Sequence, residues 1–194
     1  MGTLWNRVSL AVALVATLAG CATSLTPLTA EQATGLQEAQ RIADRTTKVY
    51  GVPGVRVYAA SLGPSTGGSY FGQTDWIFIR PESLTGKRLF VLISHELGHA
   101  TLGHRPTEPP SVERERNANR RGVEILVKVL GLTEREALDT YADYLIGANR
   151  YRHGRDVLLP AGHLPPCEEL RELWTGYGQT APACETVTAA PASK

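Results

Sequence analysis

From Leu36 onward, Ala39, Ile42 and Ala43 fall three and four residues apart, the spacing that places apolar side chains on one face of a helix. Thr29-Ala30-Glu31-Gln32 just ahead has the form of a capping box, so a first helix is expected from there to Gly51, followed by a turn at Pro53-Gly54. The period then changes to two. Val55, Val57 and Ala59 alternate with Arg56 and Tyr58, which predicts a strand, and Trp76 to Ile79 predicts a second, stopped by Pro81. Between them, Ser61 to Gln73 is rich in Gly and Ser and reads as a loop.

Helical spacing returns at Leu89, Phe90, Leu92, Ile93, Leu97 and Ala100, predicting a helix from near Thr85 that fades at Gly103. Pro106, Pro109 and Pro110 make a stiff connection. Ser111 suits an N-cap, with Glu113 and Glu115 in the first turn, where the helix dipole favours carboxylates. This third helix runs to Leu130, with Gly131 as its C-cap residue. Thr133-Glu134-Arg135-Glu136 opens a fourth helix, with Leu138, Tyr141, Ala142, Leu145 and Ile146 on its apolar face. Glu168 to Trp174 reads as a short fifth. Helix, small sheet, then helices is an α+β order.

A chain of 194 residues has room for one domain with a core. A net charge of +1 offers no electrostatic basis for nucleic-acid binding. The N-terminus changes the picture more. Arg7 precedes the apolar run Val8 to Ala19, which ends in Leu18-Ala19-Gly20-Cys21. This resembles the bacterial lipobox. Residues 1–20 are then a lipoprotein signal peptide, Cys21 the lipidated residue and 21–28 a tether, with a domain over 29–175 and a flexible tail over 176–194. Ala22 after the cysteine implies a location on the periplasmic face of the outer membrane. In that oxidising compartment Cys167 and Cys184 are expected to pair. The basic run around His153 reads as a solvated turn.

The candidate chemistry is His95-Glu96-Leu97-Gly98-His99, an HExxH sequence on the second helix. Residues four apart are about 40° apart around a helix, so His95 and His99 share a face and their imidazoles can converge on one ion. Neutral imidazole suits Zn²⁺, and catalytic sites pair three protein ligands with a water. Glu96, about 100° from His95, sits beside the site as a general base for that water. Gly98 would let a neighbour approach closely. The third ligand lies among His104, Glu113 and Glu115. His104 would point away on a continued helix. Glu115 is better placed, because the Pro-rich connection can turn its helix back onto the first.

These residues resemble a known family. Glu115-Arg116-Asn117-Ala118-Asn119-Arg120-Arg121-Gly122-Val123-Glu124 is similar to the ExEADRxGxE segment of the HtpX, Oma and CAAX-prenyl-protease gluzincin metallopeptidases. His95 to His104 is similar to that family's HExxHxxxxH, and the ImmA/IrrE metallopeptidases share features of the site. The resemblance implies a zincin-like fold and zinc bound by His95, His99 and Glu115. It puts Asn119 where the family has an Asp that orients a ligand, and Asn117 where it has a second Glu. Trp76 to Ile79 resembles the edge strand that holds extended peptide substrate. His163 and Arg171 resemble downstream elements that could stabilise an oxyanion.

The expectation is a lipid-anchored zinc metalloendopeptidase that hydrolyses peptide bonds of cell-envelope proteins, with protein or peptide substrates and a membrane contact through Cys21. The alternative is a proteolytically inactive zinc-binding lipoprotein acting as an assembly or binding factor, which the two Asn departures favour.

Overall fold

A computed structural model of the chain describes residues 27–63, 66–105, 108–152 and 159–184. The signal segment, Cys21 and most of the tether, the run at His153, and the tail beyond Cys184 lie outside the described residues.

Helix α1 spans Ala30–Tyr50 and opens on the expected capping box, with Thr29 and Gln32 exchanging bonds of 3.2 and 2.9 Å. Its buried face, with Ala39, Ile42 and Ala43, packs into the core under a three-stranded sheet. Strands β1 (Arg56–Ala59), β2 (Gly68–Phe71) and β3 (Trp76–Ile79) are ordered β1-β3-β2, with β1 parallel and β2 antiparallel to β3. Ile77 and Ile79 face the core, while Tyr58, Phe71, Trp76 and Phe78 cluster on the outer face.

Two expectations fail here. Residues 68–71 form a strand, not a loop, and Trp76–Ile79 is the central strand, not an edge. The free edge is decided by α1. Gln40 donates to the Val55 carbonyl and accepts from the Val57 amide, both at 2.9 Å, so a side chain occupies the outer edge of β1. The open edge is therefore β2, which has no second strand neighbour among the described residues.

Helices α2 (Gly86–Thr101), α3 (Val112–Leu130), α4 (Glu134–Arg152) and α5 (Pro166–Gly176) complete the described fold. Ser111 caps α3 and Gly131 ends it. The Thr133–Glu136 bonds of the expected capping box precede α4. Helix α2 runs between two cores. Leu89, Ile93 and Leu97 pack toward the sheet, and Val91 packs toward Val123, Tyr141, Leu170 and Trp174 of the helical side. Cys167 and Cys184 are joined by a disulfide, and Tyr177, Ala181 and Cys184 lie against the helical core. The architecture is α+β, with one small mixed sheet and five helices among the described residues.

Candidate metal centre

Helices α2 and α3 cross with almost no space between them. A Cβ on Gly98 would overlap the carbonyl oxygen of Ala118, so only glycine admits α3 at this depth. The close approach anticipated at Gly98 is thus made by α3 itself. It lays the first turns of α3 over the His95–His99 face and brings Glu115 to both imidazoles. Glu115 Oε2 is 3.2 Å from Nε2 of His95 and 3.2 Å from Nε2 of His99, and the two Nε2 atoms are 3.1 Å apart. Glu113, the rival candidate in the same turn, is exposed.

A further donor arrives from the loop before α5. Nε2 of His163 lies 3.3 Å from the same Glu115 oxygen. His95, Glu115 and His163 each offer a donor atom within 4.8 Å of the others and form a possible metal-binding triad. His99 joins them through its contacts with His95 and Glu115.

The donor chemistry fits a small cation. A tetrahedral ion with bonds of about 2.0–2.1 Å holds its donors roughly 3.3–3.4 Å apart. The His95, His99 and Glu115 donor atoms stand 3.1–3.2 Å apart, close to those edges, and His163 Nε2 is 3.3 Å from the Glu115 oxygen. The ring orientations agree. Asn119 Nδ2 donates to Glu169 Oε1 at 2.6 Å, and a carboxylate oxygen only accepts, so Asn119 Oδ1 faces His95 Nδ1 at 2.8 Å as an acceptor. His95 therefore carries its proton on Nδ1 when neutral and turns the Nε2 lone pair toward Glu115.

His104 does for His99 what Asn119 does for His95. Helix α2 ends at Thr101 with Leu102 as its C-cap, and Gly103 at φ 67 reverses the chain. The turn returns His104 so that its Nδ1 lies 2.9 Å from His99 Nδ1. Burial, then the neighbouring His99 and Arg114 charges, lower the pKa of His104 and favour a neutral ring able to accept from His99. His104 is thus a partner of a candidate ligand rather than a donor to the centre.

The local field favours positive charge. Burial by itself lowers the pKa of His95, but a hydrogen bond to Glu115 and the charges of Glu96, Glu115 and Glu169 outweigh it and raise the value to about 9. Burial likewise works to raise Glu115, and the His95 and His99 bonds with the nearby imidazoles overcome it and hold the carboxyl well below its ordinary range. A pocket that keeps a proton this firmly offers a place for a cation.

Glu96 is buried beside these donors, against β2. A Cβ on Gly68 would come within 3.1 Å of Glu96 Oε1, so this strand passes directly over the carboxylate. Arg171 does not join the centre. It is exposed on α5 and lines a crevice with Cys167, Thr175 and residues 179–184. Lipidation at Cys21 lies outside the described residues.

Glu169 and β2 were missed in the sequence. The strand is hidden because glycines supply neither alternation nor a branched side chain. Glu169 carries no local signal, being 50 residues from Asn119. Comparison with family models, curated proteins and solved structures gives no match.

Proposed function

We propose that the protein is a zinc-dependent metalloendopeptidase acting on peptide bonds of cell-envelope proteins, anchored to the membrane by lipid at Cys21. The observation that carries the reading is the convergence of His95, His99 and Glu115 donors at 3.1–3.2 Å, with Glu96 of the same helix buried beneath an open strand edge. The donor set of two imidazoles and one carboxylate suits Zn²⁺. When bound there, zinc supplies a Lewis acid that polarises a carbonyl and acidifies a water.

The chain's own residues do the rest. Asn119 and His104 hold the two imidazoles by their Nδ1 atoms, so neither ring turns away from the centre. An extended peptide pairs with the free edge of β2, which runs its backbone over Glu96. Glu96 accepts a proton from the attacking water and delivers it to the leaving amine. Substitution Glu96→Gln should leave zinc bound and abolish cleavage of casein or envelope protein. Undiminished cleavage would overturn the reading.

The second reading is a zinc-bearing lipoprotein without proteolysis, which acts as an assembly or binding factor. His163 favours it, since its Nε2 lies 3.3 Å from Glu115 where an open catalytic position would be needed. Under it, Glu96→Gln would complement a deletion strain fully.

A further inference from the structure

The three imidazoles around Glu115 Oε2 are not held alike. His95 and His99 lie on a buried helix, their side chains 11% and 12% exposed, each with an Nδ1 partner within 2.9 Å. His163 lies on the loop before α5 and is 26% exposed. Its Nδ1 is 3.6 Å from Glu169 Oε1, beyond hydrogen-bond reach, and that oxygen already accepts from Asn119 at 2.6 Å.

The loop is nevertheless built to carry this ring inward. Gly162 has φ 85, and a Cβ there would come within 2.9 Å of the Ser111 amide, so the loop backbone seats directly on the start of α3. The His163 amide donates to the Pro160 carbonyl at 3.2 Å, closing the turn. Pro165 and Pro166 then begin α5, which the disulfide at Cys167 ties to Cys184. His163 thus projects from a short turn fixed on both sides, with its Nε2 at the Glu115 oxygen.

We propose that His163 is a fourth, displaceable protein ligand of the metal, and that the described conformation is a latent state in which the position needed by water or a substrate carbonyl is filled from within the chain. This rests on the metal-centre reading above. Three protein ligands leave a catalytic position open, whereas four close it. A closed site held by one weakly oriented ligand opens by loss of that ligand alone, with α2 and α3 unmoved. Access then scales with the fraction of molecules in which His163 is off the metal.

The test uses the mature chain loaded with zinc and, separately, with cobalt, as wild type, His163→Ala and His163→Asn. X-ray absorption of the zinc protein should count three imidazoles in the wild type and two in both variants. Acetohydroxamate, a small probe that needs a free metal position, should perturb the cobalt spectrum of the variants at about tenfold or more lower concentration than the wild type. Equal imidazole counts and equal hydroxamate affinity with metal bound in all three would overturn the role of His163 and leave the metal centre standing. Absence of metal from all three proteins would overturn both. The Asn variant keeps a polar side chain at 163, so a folding failure confined to the Ala variant leaves the comparison intact.

Discussion

Asn119 Oδ1 lies 2.8 Å from Nδ1 of His95, and Asn119 Nδ2 lies 2.6 Å from Glu169. The carboxylate absent at position 119 is present one link further back. It polarises the amide that orients the imidazole, which offsets the departure from the Asp of the resembled family. Asn119→Ala should therefore weaken zinc binding by about 10- to 100-fold, the range typical of a group that orients a metal ligand. Glu169→Gln keeps an acceptor but removes the charge, so its loss should be smaller. Competition titration with a chromophoric chelator measures both. Equal affinity in Asn119→Ala and wild type would contradict the relay.

Helix crossing at Gly98 sets the whole centre. Gly98→Ala should destabilise the protein by about 1–3 kcal/mol through overpacking against Ala118, and should lower zinc affinity as Glu115 is pushed away. Gly147→Ala, in α4 with open space around it, should instead be neutral or stabilise by up to about 1 kcal/mol. Denaturant unfolding of the two variants reads the contrast.

The metal-free protein should show a distinctive pH profile. His95 has its pKa raised from 6.5 to about 9, so its contribution to stability is complete below pH 6.5 and is lost as pH rises through 9. Glu115 is lowered from 4.5, so its contribution is complete above pH 4.5 and is lost on acidification. Stability without metal should peak between pH 4.5 and 6.5 and fall toward pH 9. Zinc affinity should run the other way and increase from pH 6 toward 9, because binding displaces the His95 proton. Chemical denaturation and zinc titration across that range check both slopes, and a flat metal-free profile from pH 6 to 9 would contradict the field described.

The disulfide closes a loop with a sequence separation of 17 and ties residues 177–184 to α5. Cys184→Ser should cost roughly 3 kcal/mol on the chain-entropy estimate, measured by denaturant unfolding under non-reducing conditions.

Local signals made much of this legible. The capping boxes at Thr29 and Thr133, the N-cap at Ser111 and the strand at Trp76 follow from a few neighbouring residues, and the structure has each of them. The His95–His99 pair is legible for the same reason, since helix geometry alone aligns residues four apart. Contacts decided by packing were not. β2 is a strand because it lies against β3 and over Glu96, which Gly68 permits but does not announce. Helical extrapolation sends His104 away from the site, and the left-handed turn at Gly103 brings it back. His163 reaches Glu115 only because the loop at Gly162 seats on Ser111, some fifty residues earlier in sequence.

The most direct measurement is metal content of the purified mature chain by mass spectrometry of the elements, compared with His95→Ala, His99→Ala and Glu115→Ala. The expected result is about one zinc per wild-type chain and strongly reduced zinc in each folded variant. Zinc absent from the wild type, or retained at full occupancy and affinity without Glu115, would contradict the His95, His99 and Glu115 centre.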